Sequence, residues 1–369
     1  MRHQFVCWVA GGAVRDLLIG RPVTDFDLVT DASTEVLKQL FPDALLVGEA
    51  FGVLKISAGG GDFFDLATFR EESDYFDGRR PSKVSSSTPT MDSARRDFTI
   101  NSMFWDDENQ LLRDYNAGLL DLGLKRLTCV GNPRLRFEED KLRILRLLRF
   151  GAQLNFKIDQ LTQSEAIEKV PDIDRVSGER VGLEFKKIDE SGNLSDLVDQ
   201  PLFIKIMEHL FSISSNQLFN AKEILEKVDT LSLLLVVVKP EQDFSDLLKQ
   251  RLKYSNTQLK FYKNLKKISE LKERISIEEL AFEFEQSKDF EIAFKMFEKV
   301  GLVRENSWNL AAKLLTEVGE PLVWGKDLLG QVPNHLLGGE LREIRLKQLG
   351  KIFRTKSDVD LYLKKKYAV

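Results

Sequence analysis

The sequence of 369 residues predicts an α+β head, a small mixed sheet with helices, followed by an all-helical remainder. Up to about residue 125, short β-like runs alternate with helical ones, which is the pattern of strands and helices sharing one domain. From about Phe137 onward apolar residues fall three and four apart and β-like segments nearly vanish. A chain of this length is expected to hold two or three domains.

The elements follow in order. Phe5–Ala10 is a short apolar run and reads as the first strand; the glycine pair Gly11-Gly12 follows at once. Ala13–Ile19 reads as a short helix stopped by Gly20, and Asp25–Val29 as a short extended run. Ser33 or Thr34 has the chemistry of an N-cap before Val36-Leu37 and Leu40. Val53–Ser57 and Phe63–Phe69 read as strands joined through Gly59-Gly60-Gly61 in a hairpin turn. Glu71 to Asp92 is polar and proline-broken, and is expected to be a mobile loop. Leu142, Leu145, Leu148 and Arg149 then open a long helical region, with breaks near Pro201, Pro240 and Pro321.

Composition removes several function classes. At 43% hydrophobic and 30% charged, the chain has ample material for a core. No run approaches the ~20 apolar residues of a membrane span. The opening apolar run lacks a cleavage-site pattern, so it reads as a strand and not as a signal peptide. Cys7 and Cys129 are too few for a disulfide framework or a zinc site, and a reducing cytoplasm is the expected home. His3, His209 and His335 stand at no metal-ligand spacing, which argues against a histidine-based hydrolase. With 54 basic and 58 acidic residues the net charge is −4, which argues against wholesale coating of nucleic acid but leaves room for a basic stripe on one face.

Four clusters carry chemistry. Gly11-Gly12 at a strand end lets the backbone approach a phosphate, and Arg15 adds a charged fork. Asp25 and Asp27 are two positions apart in an extended run, so both carboxylates face one way and suit Mg²⁺. Either motif alone is a turn or a solvated acidic patch; together, in this order, they point to a phosphoryl-transfer site. Asp65 sits amid an apolar strand, where a carboxylate is costly unless paired or bound to a cation, and is the candidate third carboxylate; an edge position facing water is the alternative. Arg95-Arg96-Asp97-Phe98-Thr99-Ile100-Asn101 joins phosphate-binding arginines to an aspartate that can accept from a ribose hydroxyl or orient an arginine. Alone, this too reads as a charged loop capping a helix.

In sequence order, Gly11-Gly12-x-Val14-Arg15-Asp16, Asp25-x-Asp27, Ala67-Thr68-Phe69-Arg70 and Arg95 through Asn101 resemble the class II nucleotidyltransferases. That family holds bacterial and eukaryotic CCA-adding enzymes and bacterial poly(A) polymerases. The resemblance continues through Glu139-Asp140-Lys141-Leu142-Arg143 and through Arg175-Val176-Ser177-Gly178-Glu179-Arg180 with Glu184, to about Lys187. It implies a nucleotidyltransferase head (1–125), a helical neck that reads the base (126–190), a helical body (191–270) and a helical tRNA-binding tail (271–369). It implies that Asp25 and Asp27 bind Mg²⁺ and that Asp65 completes the catalytic carboxylates. Gly11, Gly12, Arg15, Arg95, Arg96, Asp97, Asn101, Asp140, Arg143, Arg146 and Arg180 would bind the nucleotide. The implied reaction is untemplated addition of C, C and A to the tRNA 3′ end from CTP and ATP. CC-only or A-only addition, poly(A) synthesis, and a catalytically dead helical RNA-binding protein are the alternatives. The segment Val47–Leu54 resembles the CCA-adding form.

Three further expectations build on that resemblance. Asp140 and Arg143, three apart on a helix, would share a face and imitate the edge of a pairing base, rejecting uracil and guanine; without the upstream motifs the pair reads as a surface salt bridge. The Glu71–Asp92 loop would lever that pair between a cytosine and an adenine setting. Lys364-Lys365-Lys366, with Lys351 and Arg354, would touch tRNA phosphates, with a solvated basic tail as the alternative.

Overall fold

The computed structural model describes residues 5–23, 25–47, 53–59, 62–75, 81–271 and 275–367. Two compact units divide the chain, 1–219 and 220–369.

In the first unit β1 (Cys7–Ala10) pairs antiparallel with β2 (Asp27–Thr30), Trp8 opposite Val29 and Ala10 opposite Asp27. Between them lies α1 (Gly12–Leu18). After β2 comes α2 (Thr34–Leu40), whose N-cap is Ser33; its hydroxyl accepts from Val36 N at 3.4 Å. Next come β3 (Leu45–Val47), β4 (Val53–Gly59) and β5 (Asp62–Thr68). Strands β4 and β5 are antiparallel neighbours, and β5 then runs parallel to β2. The glycine turn expected between β4 and β5 falls largely outside the described residues, as does most of Val47–Leu54.

The polar stretch expected to be a mobile loop is largely structured. Arg70–Tyr75 (β6) and Pro81–Ser86 (β7) form a separate antiparallel ribbon, Glu72 opposite Val84, and Pro89–Ala94 is a helix, α3, capped by Thr88. A two-stranded ribbon closes its backbone hydrogen bonds without an apolar face, so polar composition did not exclude strands here. β8 (Phe104–Asp106) and β9 (Leu111–Arg113) complete the main sheet, whose order is β3-β4-β5-β2-β1-β8-β9.

Alternation along the strands places apolar side chains on both faces. Trp8, Ala10, Val29, Phe69 and Phe104 form one cluster, with Phe69 edge-on to both Trp8 and Phe104. Ala32, Leu37, Leu54 and Leu66 form the other, so that α2 covers that face. Helix α4 (Gly118–Gly123) packs against the 3-10 turn Thr99–Asn101. A Cβ on Gly118 would lie 2.3 Å from the Thr99 carbonyl oxygen, so this close approach requires glycine.

Helices follow, interrupted only by a two-residue parallel pair, β10 (Arg126–Leu127) with β11 (Lys157–Ile158). They are α5 (Pro133–Glu139), α6 (Leu142–Leu154), α7 (Gln160–Glu168), α8 (Gly178–Ser191) and α9 (Pro201–Phe211). Helix α6 buries ten of its residues, Arg143 and Arg149 among them, and packs on α8. The unit boundary falls within α10 (Ser215–Leu225).

The second unit is helical in its described residues: α11 (Leu231–Val238), α12 (Asn256–Leu271), α13 (Ile277–Gln286), α14 (Lys288–Lys299), α15 (Ser307–Val318), α16 (Gly325–Leu328), α17 (Leu337–Leu349) and α18 (Lys356–Tyr367). Helix α13 opens with a capping box between Ser276 and Glu279. Ile344 on α17 and Val359 and Leu363 on α18 share a core with Val323, Leu328, Val332 and Phe353.

Candidate active site

The turn from β1 into α1 forms the floor of a cleft of about 720 Å³ in the first unit. Gly11 adopts φ 69° and ψ −124°, a region reserved for glycine, and a Cβ there would lie 2.8 Å from Arg96 Nη1. Arg15 is buried beneath the cleft. It donates to Asn101 Oδ1 at 2.5 Å and to both oxygens of Asp16 at 2.8 and 2.9 Å.

Asp25 precedes β2 and Asp27 opens it. The parallel pairing of β2 with β5 sets Asp27 directly opposite Asp65. Burial and the neighbouring Asp25 push the Asp27 carboxyl above its ordinary pKa; Arg96 pulls it down, and Asp65 adds a further push. Asp65 also stands opposite Lys55 of β4, whose Nζ is 3.0 Å from Asp65 Oδ1, yet that oxygen is shielded from water and lacks a well-aligned hydrogen bond. Crowded carboxylates form a donor set that fits a hard divalent cation. Among the described residues no group of three or more His, Cys, Asp or Glu side chains is gathered for a metal ion, so an ion here would draw part of its shell from ligand or water oxygens.

The opposite wall is arginine-rich. Asp92, with no side-chain exposure, bonds Arg95 at 2.6 Å and Arg96 at 3.0 Å and accepts from Arg70 N at 3.3 Å. Burial would raise its pKa, but the Arg96 and Arg95 charges outweigh it and hold the carboxyl below its ordinary value. Asp97 is likewise buried. Arg146 donates to its Oδ2 at 2.5 and 2.8 Å and Asn101 to its Oδ1 at 3.1 Å, and these contacts hold it well below the usual carboxylate range despite burial. Asp97 thus pairs with an arginine, a contact that fits one of the two roles open to it in the sequence.

Asp140 and Arg143 do not share a helix face. Asp140 is extended, φ −136° and ψ 107°, at the junction of α5 and α6, and its Oδ1 accepts from Leu142 N at 3.0 Å. A short polar side chain that can cap the next helix takes the break between two helices, which the spacing alone did not reveal. Arg143 lies within α6 and donates to Glu139 Oε2 at 2.8 Å, Arg95 O at 2.8 Å and Arg136 O at 3.1 Å. Asp140 Oδ2 instead meets Arg180 Nη2 of α8 at 3.3 Å. A buried pair, Arg149 Nε to Glu184 Oε2 at 2.5 Å, joins α6 to α8 one turn further along.

All fourteen residues expected at the site line this one cleft. The lining holds eight arginines and five aspartates. The sequence reading did not place Arg70, Arg149 or Phe150 in that lining, nor Asp92 and Lys55 against it, where they pair with Arg95, Arg96 and Asp65. Asp92 had a signal, since it stands three and four residues before Arg95 and Arg96 on a helical turn. Lys55 had none, because cross-strand register is invisible before the sheet is formed.

In the second unit, the expected basic cluster is divided. Lys366 is committed to Glu340 at 2.9 Å, to Glu343 at 2.8 Å and to the Tyr362 hydroxyl at 2.6 Å, whereas Lys364 and Lys365 are exposed. Lys351 pairs with Glu317 at 3.1 Å. No helix among the described residues is long and apolar enough to cross a membrane.

Residues 7–128 match the poly A polymerase head domain family. The CCA-adding enzyme of Lactococcus lactis subsp. cremoris is 40% identical over 189 residues, 50% of this chain and 47% of that protein. The CCA-adding enzyme of Streptococcus mutans is 41% identical over 185 residues, 50% of this chain and 46% of that protein. The chain thus spans about half the length of these relatives (47% and 46%). The CCA-adding enzyme of Enterococcus faecalis is 28% identical over 364 residues, 91% of this chain and 89% of that protein. Among solved structures, the Bacillus stearothermophilus CCA-adding enzyme in complex with CTP gives a TM-score of 0.76 at 22% identity, covering 99% of this chain and 94% of that one. The Thermotoga maritima CCA-adding enzyme complexed with tRNA gives 0.67 at 21% identity, covering 97% and 90%. Identities this low speak for the fold: a mixed-sheet head followed by helices. Residues 7–128 are thus similar to the poly A polymerase head domain family, and the chain is similar over half or more of its length to CCA-adding enzymes.

Proposed function

We propose that this protein is a template-independent nucleotidyltransferase that adds C, C and A to the 3′ end of tRNA from CTP and ATP. The observation that carries the reading is the pairing of Asp27 with Asp65 across β2 and β5, under a wall of arginines and beside a glycine turn. Negative charge for cations and positive charge for a triphosphate meet in one cleft, as nucleotidyl transfer demands. The names of the relatives support tRNA as acceptor and CTP and ATP as donors.

On this reading the RNA 3′-hydroxyl oxygen forms a bond to the α-phosphorus of the incoming nucleotide, the bond to the β-phosphate bridge oxygen breaks, and pyrophosphate leaves. Asp25 and Asp27 would hold divalent cations, Mg²⁺ in the cell, which when bound neutralise developing charge on the phosphate oxygens. Asp65 accepts the hydroxyl proton, with Lys55 steadying its other oxygen. Arg95 and Arg96, splayed by Asp92, receive phosphate oxygens, and the Asp97–Arg146 pair fixes the neck side of the cleft. Asp140 accepts from the exocyclic amino group that cytosine and adenine share.

The test is end-sequencing of tRNAs that stop before C74, at C74 or at C75 after incubation with CTP, ATP or both. Ordered completion to CCA, abolished by a chelator, is expected. Addition of long A tracts instead would identify poly(A) synthesis, and no label transfer with any acceptor would sink the enzymatic reading.

A further inference from the structure

Phe150, on α6, stands where three guanidiniums meet. Arg149 Cζ lies 3.9 Å from the centre of its ring, Arg15 Cζ 5.1 Å and Arg146 Cζ 5.4 Å. All three are within the ~6 Å over which a cation is drawn to the negative face of an aromatic ring. The ring lines the cleft and is only 5% exposed. Phe98 packs against it in a T-shaped contact, centroids 5.7 Å apart. Phe98 directly follows Asp97, so one short segment of the head fixes both the ring and the carboxylate that Arg146 uses.

Each arginine is bonded to one carboxylate: Arg15 to Asp16, Arg146 to Asp97 and Arg149 to Glu184. Those bonds occupy guanidinium edges and leave the flat faces, which are weakly hydrated and stack on aromatic rings. Burial pulls Arg149 below its ordinary pKa; Glu184 opposes this, and the Arg146 charge adds to it. The gathered arginines therefore repel one another. A ring answers that repulsion in a way a further carboxylate could not. It attracts the cations without cancelling their charge, so the charge stays available to an anionic ligand. Arg146 is the one placed to use it. Its side chain is 34% exposed and lines the cleft. Its Nε and Nη2 both bond Asp97, and its Nη1 takes no hydrogen bond among the described residues.

We infer that Phe150 is a positioning residue, whose ring keeps Arg146 and Arg149 gathered at the cleft beside Arg15 so that a polyphosphate meets a preorganised cationic wall. This rests on the nucleotidyl-transfer reading above and deepens it. The ring acts on the triphosphate that every nucleotide shares, and not on the choice of base.

The experiment replaces Phe150 site-specifically by mono-, di- and trifluorinated phenylalanine and, separately, makes Phe150→Leu. Each fluorine drains the negative ring face and changes its shape little, so packing and cation attraction are separated. Equilibrium binding of CTP, ATP and inorganic tripolyphosphate is measured, with CTP-against-UTP preference and KM for tRNA alongside. The three dissociation constants are expected to rise with each fluorine, by roughly two- to thirtyfold over the series, the worth of a cation–π contact. Base preference and KM for tRNA stay level, and Phe150→Leu binds at least as weakly as the trifluorinated protein. Unchanged dissociation constants across the fluorinated series, with Phe150→Leu impaired, would reduce the ring to packing and overturn the inference. A base preference that falls along the series while tripolyphosphate binding holds overturns it too. Should Phe150→Leu fail to fold by its melting curve, the fluorinated series carries the comparison alone. A parent protein that binds tripolyphosphate yet transfers no nucleotide to any tRNA end defeats the functional reading instead, and the tripolyphosphate series still decides the role of Phe150.

Discussion

Gly11 does what no residue with a side chain can do. Its backbone sits at φ 69°, and the space a methyl would take is held by the Arg96 guanidinium. Gly11→Ala is expected to cost about 1–3 kcal/mol of stability from backbone strain. It should also cost more than tenfold in nucleotide transfer, because Arg96 must move. A variant with full activity and an unchanged melting temperature would contradict this. The carboxylates give a sharper expectation. Asp25→Ala or Asp27→Ala should abolish transfer while leaving the melting temperature near that of the parent, because repulsion among the crowded carboxylates offsets what each contributes to the fold. Near-normal turnover in either would end their assignment as cation ligands. At this scale the sequence was most legible where a motif carries its own geometry. The glycine pair, the Asp-x-Asp run and the double arginine could be read directly, and the structure gathers them. Lys55 and the Asp140–Arg180 pair could not, since strand register and a 40-residue separation join them.

Strands β1, β2, β4 and β5 were readable because apolar runs between turn residues have few other uses. The ribbon β6–β7 was not, because its sequence carries no apolar alternation and the pairing of its backbone is not written in composition. The base of this ribbon is tied to the cleft: Arg95 Nε donates to Arg70 O at 3.1 Å while Asp92 accepts from Arg70 N. Shortening the chain between Ser73 and Ser86 therefore trims a ribbon and leaves its anchor at Arg70 and Asp92. Such a variant is expected to keep CC addition and to stall before the final A, read by sequencing the ends of products made with both nucleotides present. Normal completion of CCA would make the ribbon passive. Equal loss of C and A addition would make it a support for the entire head.

Across the whole molecule, acid stability tests the buried charge network. Asp92 and Asp97 have folded-state pKa values below the ordinary carboxylate value, so their contribution is fully present above about pH 4 and is lost as pH falls through their lowered folded values. Urea midpoints are expected to hold steady from pH 7 to about 4 and then to fall as pH drops further. Asp97→Asn removes one partner of a partly shielded pair, with an expected loss of about 1–3 kcal/mol at pH 7 and a shallower fall in acid. Equal slopes for parent and variant would place the acid sensitivity elsewhere. The same pair also sets an order of events during synthesis. Asp97 is satisfied by Arg146, 49 residues downstream. Ribosomes add about 5–20 residues per second, so the aspartate waits roughly 2–10 s for its arginine to be made, and longer for it to clear the exit tunnel. For that interval the wall of the cleft cannot close, and the carboxylate stays hydrated until the helix that carries Arg146 emerges.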